Sequence, residues 1–275
     1  PVVLGNGAFQ RQIINWRTFS KGEGFASGVI SNASNKSRLS YVDAAYDQVP
    51  QVINSWAKGM VYNIFELEEA MQANTLFSLI EAREIARRKE WDLGLQQVAF
   101  LGYESQTGLL NNASVYVDSS TITAKLPLMT TDQFNAFAGT VYEQYRANAQ
   151  RTAKPTHFII PEGDWNGLSN WPSSAFPLKT RYDLLLEAFK AVTGNGSFNI
   201  MPCAYCDKAN CDGTNNRYVL LNYDESSVKM DLPLDYTMTQ AGTFNGFSWE
   251  NVAYGQFTGV VAQRPREMYY FNTTF

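Results

Sequence analysis

Residues 16–58, WRTFSKGEGFASGVISNASNKSRLSYVDAAYDQVPQVINSWAK, restrict the fold of this chain more than any other stretch. The run is rich in Ser, Gly, Asn and β-forming residues. The turn cluster SNASNKS at 31–37 divides it, so its natural reading is one long β-hairpin. A hairpin by itself buries little apolar surface and is marginal in water. An arm of this size therefore needs partners, either the rest of the chain or other copies of it.

The full 275-residue sequence is long enough to build a real core. Only 17% of residues are charged, where about 25% is usual for soluble globular chains. Hydrophobic residues make up 45% and aromatic ones 14%, and there are 22 Asn, as many as Lys and Arg together. Such a surface of amides, hydroxyls and aromatic edges suits lasting protein–protein contact. The net charge of −4 argues against tight phosphate-backbone binding as the main function, because that requires clustered cations. No run approaches the roughly 18–20 consecutive apolar residues of a membrane helix, so no membrane contact is expected. The start, PVVLGNGAFQRQ, has no basic region followed by a long apolar run.

Chemistry-bearing motifs are sparse. Cys203, Cys206 and Cys211 lie in PCAYCDKANC, and a C-x2-C pair is half of a zinc or redox site. A fourth ligand would have to be His157 or Asp212, so the simpler expectation is reduced thiols in a surface loop. His157 is the only histidine, which leaves every nucleophile–histidine mechanism a single route. Glu162 and Asp164 in PEGDW are the one pair that fits a glycosidase, although acids in a Gly-containing turn are more often a solvated loop. The expectation is a protein without catalytic residues, cofactor or metal.

Helical spacing marks residues 64–73 and a long helix from Thr75 to Gly102, with Leu76, Leu79, Ile80 and Ala86 on its apolar face and a Glu84–Arg88 pair. Gly94 is a potential bend. Arg83, Arg87, Arg88 and Lys89 read as a solvated face, with nucleic-acid contact as the second reading. ASVYVD and SSTITAKLPL read as strands, and Thr130 to Gln133 as a capping box opening a helix with a Phe134, Phe137, Val141, Tyr145 core stripe. HFIIP is a strand, and TRYDLLLEAFKAV is a helix stopped by Gly194 that turns Leu184, Leu185, Ala188 and Val192 inward. RYVLLNY and VKMDLPL, joined by DESS, read as a short hairpin. Strands and helices mix without regular alternation, which makes the fold class α+β.

The succession of these parts resembles the major capsid proteins of tailed bacteriophages, with the Hong Kong 97-like capsid fold. A β-arm leads through FELEEA to a long helix ending WDLGLQQVAFLG, then YESQTGLLNN, then a mixed domain closing with AQRPREMYY. The resemblance implies an N-terminal arm at 1–15, an extended loop at 16–58, a peripheral domain with a long spine helix at 59–128 and 252–275, and an axial domain at 129–251. It further implies hexamers and pentamers in an icosahedral shell around double-stranded DNA, touched weakly and non-specifically, with scaffolding and portal proteins as partners. Assembly in a host bacterial cytoplasm and residence in the virion go with it. Assembly contacts are then expected at Trp16, Phe19, Lys21, Phe25, Lys36 and Trp56, and DNA-facing positions at Arg83, Arg87 and Arg88. Lys21 and Lys36 lie where some relatives crosslink, but no motif singles out either, so no crosslink is expected. Two alternatives are an encapsulin-like nanocompartment shell and, from another class, a carbohydrate-binding or hydrolytic module built on Trp165, Trp171, Glu162 and Asp164.

Overall fold

The computed structural model describes residues 2–3, 11–21, 43–72, 79–172, 179–243 and 245–275. In chain order, β1 (Val2–Val3), β2 (Gln12–Lys21), β3 (Asp43–Val52) and β4 (Asn54–Asn63) precede helices α1 (Ile64–Gln72) and α2 (Leu79–Leu101). Then come β5 (Tyr116–Asp118), α3 (Thr131–Asn148), β6 (His157–Pro161), α4 (Glu162–Leu168), α5 (Arg181–Thr193) and β7 (Asn199–Cys203). The remainder holds α6 (Lys208–Cys211), β8 (Asn216–Leu221), β9 (Val228–Leu232), β10 (Leu234–Met238), β11 (Gly242–Thr243), β12 (Ser248–Phe257), β13 (Val260–Ala262) and β14 (Met268–Thr273).

The centre of the molecule is a five-stranded mixed sheet in the order β5-β14-β8-β6-β7. Its inner strands read as nearly continuous apolar runs because both faces are covered. Successive side chains point to opposite faces, and the packing follows that period. Phe158, Ile160, Tyr218, Leu220, Tyr269 and Phe271 join one core with helices α3 and α5. Their neighbours Ile159, Val219, Leu221, Met268 and Tyr270 join a second core with α2, β9 and β13.

Helices α3 and α5 form because their ends are satisfied locally. The Thr130 hydroxyl accepts from the Gln133 amide while the Gln133 side chain accepts from the Thr130 amide, and Thr180 and Asp183 repeat the arrangement. Phe134, Phe137, Val141 and Tyr145 are all buried. On α5 the fully inward positions are Leu185, Ala188, Phe189 and Thr193, with Leu184 and Val192 only partly covered. Gly194 ends that helix at φ +60°.

A second sheet pairs β4 with β12 along their whole lengths, from Ser248↔Asn63 to Phe257↔Asn54, and β10 and β11 flank the other side of β12. Helix α2 lies against it. Trp91 sits so close to Gly255 that a Cβ there would lie 2.5 Å from the indole Cη2. The helix runs unbroken through Gly94 and stops before Gly102, whose φ is +81°. Its buried positions are Arg87, Trp91 and Val98, with Leu95 partly covered, whereas Ala86 is exposed. Of the expected Leu76–Leu79–Ile80–Ala86 stripe, Ile80 is partly covered and Ala86 faces outward because Arg87 takes the inward position, while Leu76 and the Leu79 side chain lie outside the described residues. The expected start at Thr75 lies outside the described residues.

Two further expectations are corrected. SSTITAKLPL is not a strand: it holds bends and a 3-10 turn at Leu126–Leu128, where Asp164 accepts from the Leu126 amide. Strands β8 and β9 are not a hairpin; β8 pairs with β6 and β14, whereas β9 pairs with β1 and β13. The expected boundaries at 15/16, 58/59 and 251/252 each fall within a strand. Gln12–Asn15 already belong to the β2–β3 ladder, residues 54–58 to β4, and β12 runs across the 251/252 boundary. Strand β14 of the expected peripheral part pairs with β5 of that same part on one side and with β8 of the expected axial part on the other.

The close approach at Gly255 is testable. Gly255→Ala forces a fully packed indole aside and is expected to cost about 1–3 kcal/mol, read as a lower urea midpoint at unchanged m-value. An unaltered midpoint would show that Trp91 relaxes freely.

Candidate assembly surfaces

Strands β2 and β3 form a two-stranded antiparallel sheet, paired from Gln12↔Val52 to Lys21↔Asp43, with no third strand among the described residues. The period of two gives it distinct faces near its root. On one face the Asn15 amide donates to the buried Asp231 carboxylate at 3.3 Å, and the Arg17 guanidinium donates to the Ala262 carbonyl at 2.7 Å. Lys229 lies 3.3 Å from the other Asp231 oxygen and balances its charge. On the opposite face Ile14 and Trp16 are about half exposed, as is Val52 beside them. The root is therefore held to β9 and β13 by polar contacts while apolar side chains point away from the body.

Of the other residues expected to make assembly contacts, Phe19 and Lys21 belong to β2 by backbone, and their side chains lie outside the described residues, as do Phe25 and Lys36 entirely. Trp56 is not a projecting group. It packs 5.2 Å from Trp91 and 6.2 Å from Tyr236, inside the β4–α2 layer.

The arginines of α2 also differ from a uniform solvated face. Arg87 is 4% exposed. Its guanidinium pairs with Glu84 and donates to the Tyr236 hydroxyl and to the carbonyls of Lys58 and Asn251, so one side chain ties α2 to β4, β10 and β12. Glu84 is thus engaged at i,i+3 with Arg87, not at i,i+4 with Arg88. Arg83 pairs with Glu66 at 2.7 Å and holds that carboxyl below its ordinary range through the hydrogen bond. Arg88 is exposed and lies 5.4 Å from the centre of the Tyr236 ring. Buried and fully engaged, Arg87 cannot face DNA.

A second apolar surface went unnoticed in the sequence. Phe65 and Met71 on α1 are 71% and 72% exposed, Phe247 meets Phe65 edge-on at 5.5 Å, and Val61 is exposed nearby. The exposed Phe65–Phe247 pair is the kind of apolar feature that marks an interaction site. The available signal was FELEEAMQ itself, a short helix with too many apolar positions for one buried face.

The remaining candidates are dispersed. Asp164 is buried and accepts from Tyr218 Oη at 2.6 Å, a structural bond, while Glu162 beside it is exposed. The two carboxyls are in a helix, not a solvated loop. Trp165 packs on Tyr182 at 5.1 Å, whereas Trp171 is 61% exposed, so the pair forms no shared platform. Cys203 and Cys206 are buried in the second core and only Cys211 is partly exposed, contrary to the surface-loop expectation. His157 pairs in register with Asn199, at the opposite end of the β6–β7 ladder from Cys203, and burial lowers its pKa. Among the described residues, no group of three His, Cys, Asp or Glu side chains is arranged to hold a metal ion, and no helix is long and apolar enough to cross a membrane.

Comparison with known proteins now bears on this geometry. A family model for the major capsid protein matches residues 26–273. The chain belongs to the major capsid protein family. Among solved structures, the capsid protein resembles the capsid of Myoviridae phage XM1 with a TM-score of 0.74 at 12% identity, over 99% of this chain and 89% of that one. It resembles an entity from Mycobacterium phage Bobi at 0.56 and 12% identity, covering 99% and 87%, and a virus-like particle from Pyrococcus furiosus at 0.50 and 14%, covering 93% and 86%. No curated protein matches it by sequence. The α+β architecture is thus the Hong Kong 97-like capsid fold, and the protein is a structural shell subunit of the virion.

Within the capsid protein, Arg87 and Arg88 separate a structural from a surface role. Arg87→Met removes the ion pair and the carbonyl contacts and is expected to lower stability by about 2–4 kcal/mol. Arg88→Met is expected to change it by less than about 1 kcal/mol. Chemical denaturation of unassembled protein measures both, and equal losses would refute the assignment.

Proposed function

We propose that this capsid protein assembles with its own copies, as hexamers and pentamers, into the icosahedral shell that encloses the double-stranded DNA of a tailed phage. The observation that carries the reading is the β2–β3 hairpin, rooted on the body by Asn15 and Arg17 and presenting Ile14 and Trp16 outward. A two-stranded sheet whose apolar side chains are about half exposed gains stability by docking on a neighbour. In this reading the hairpin is the extended loop, the β4–β12 sheet with α2 is the peripheral part, and the α3–α5 side of the five-stranded sheet is the axial part. Assembly takes place in the host bacterial cytoplasm with scaffolding and portal proteins. Contact with DNA is weak and non-specific, as a net charge of −4 favours. On α2 that contact falls to Arg88, because Arg87 is buried and Arg83 is neutralised by Glu66.

An encapsulin-like shell has less support, since the family model and the phage shells both favour a capsid subunit. Terminase and portal genes beside this one, in place of a cargo enzyme gene, are the expected genomic signature.

Electron microscopy of the purified protein tests the proposal. Full-length protein is expected to give rings or closed shells, and deletion of residues 20–45 to leave soluble unassembled subunits. A full-length protein that stays monomeric at high concentration would overturn it.

A further inference from the structure

The C-x2-C pair has no part in the shell reading, yet its placement is specific. Cys203 ends β7, and Cys206 ends the single 3-10 turn Ala204–Cys206 that follows. Three residues of 3-10 geometry rise about 6 Å. That separation lies within the roughly 4.4–6.8 Å between Cα atoms that a disulfide accepts. Both side chains are in the second core, where Cys206 is completely buried, and each thiol bears on the charge of the other.

The two sulfurs are not equivalent. The Cys206 thiol, helped by the amides of Tyr205 and Cys206, stabilises a negative Cys203 sulfur and lowers its pKa against the opposing effect of burial. As the donor in that contact, and buried as well, Cys206 is held well above the ordinary thiol range. Cys211 on α6 is raised by burial and is the partly exposed member. A metal is the poorer occupant. The Asp212 carboxylate already accepts from the amides of Thr214 and Asn215, and His157 lies at the far end of β6.

We propose that Cys203 and Cys206 are an oxidisable dithiol that closes into an intrachain disulfide on meeting a hydroperoxide, with Cys203 attacking and Cys206 resolving. The Cys203 sulfur attacks the peroxide oxygen, the O–O bond breaks, and with hydrogen peroxide one water leaves as Cys203 becomes a sulfenic acid. The Cys206 sulfur then displaces the hydroxyl from Cys203 and a second water leaves. Two thiols are oxidised to one disulfide and one peroxide is reduced to two waters. The new bond fastens the end of β7 to the turn carrying Tyr205, whose ring stacks on Phe100 of α2 at 5.4 Å. Resting on the proposed function, the timing follows from the compartments: a reducing host interior keeps the dithiol open, and release into an oxidising medium closes it.

The test uses full-length, unassembled protein, so its outcome is independent of whether shells form. Native protein is exposed to hydrogen peroxide, quenched, denatured, alkylated with iodoacetamide and mapped by mass spectrometry. Reduced protein is expected to take three alkyl groups, in line with its three free cysteines. Oxidised protein is expected to take only one, on Cys211, with a Cys203–Cys206 linkage that dithiothreitol reverses. Cys211→Ser is expected to form the same linkage and Cys203→Ser to form none. Full alkylation after peroxide, a linkage that includes Cys211, or Cys203 driven to sulfinic acid without coupling would each overturn the proposal. The wild-type map decides the matter even where a variant misfolds.

Discussion

Two-sided burial of the five-stranded sheet is the constraint on which the rest of the subunit depends. Tyr218 and Leu220 face α3 and α5, while Val219 and Leu221 face α2 and β9, so one strand supplies both cores. A one-residue slip of β8 would exchange every one of these side chains between two differently shaped interiors. Once the sheet is in register, the α3–α5 layer, the α2 layer and the β9–β13 platform each have a defined surface to rest on. The hairpin root then follows, because Asp231 and Ala262 belong to that platform.

Polar contacts do the positioning at the margins, where apolar packing alone has little directionality. Asn15 on Asp231 and Arg17 on the Ala262 carbonyl set the direction in which a ten-residue strand leaves the body. Arg87 likewise sets how α2 crosses β4 and β12, since carbonyls on both strands accept from a single guanidinium. A leucine at position 87 would fill space without choosing one crossing. At about 3.4 Å per residue, a hairpin built on β2 reaches roughly 34 Å. A tilt of about five degrees at its root would therefore move its outer end by about 3 Å, which makes the root contacts a geometric lever.

Where the determining interactions are local, the sequence was readable. Thr130 with Gln133, the Phe134–Tyr145 stripe, the Gly194 stop and the HFIIP strand are each written in a short stretch of consecutive residues. The order of arm, long helix and mixed domain was also enough to identify the family. What escaped depends on distant partners. The β8–β9 hairpin was plausible by proximity, but each strand finds better neighbours thirty or more residues away. Arg87 looked like a surface charge because the acceptors that make its burial tolerable come from Lys58, Tyr236 and Asn251. Cys203 and Cys206 looked like loop thiols because nothing near them in sequence announces the core of Val219, Met230 and Tyr270. Phe65 and Met71 fall within the helix expected at 64–73, but a periodicity shows that a helix has an apolar face and not whether this chain covers it.

Strand β14 pairs with β5 on one side and β8 on the other, although both are made well before it. As the polypeptide leaves the ribosome, β5 and β8 must wait with an empty lane between them, and neither interior can close. The subunit therefore reaches its finished shape only after residues 268–273 have emerged. A nascent chain is in this way barred from joining a shell until this last strand of the sheet has been made.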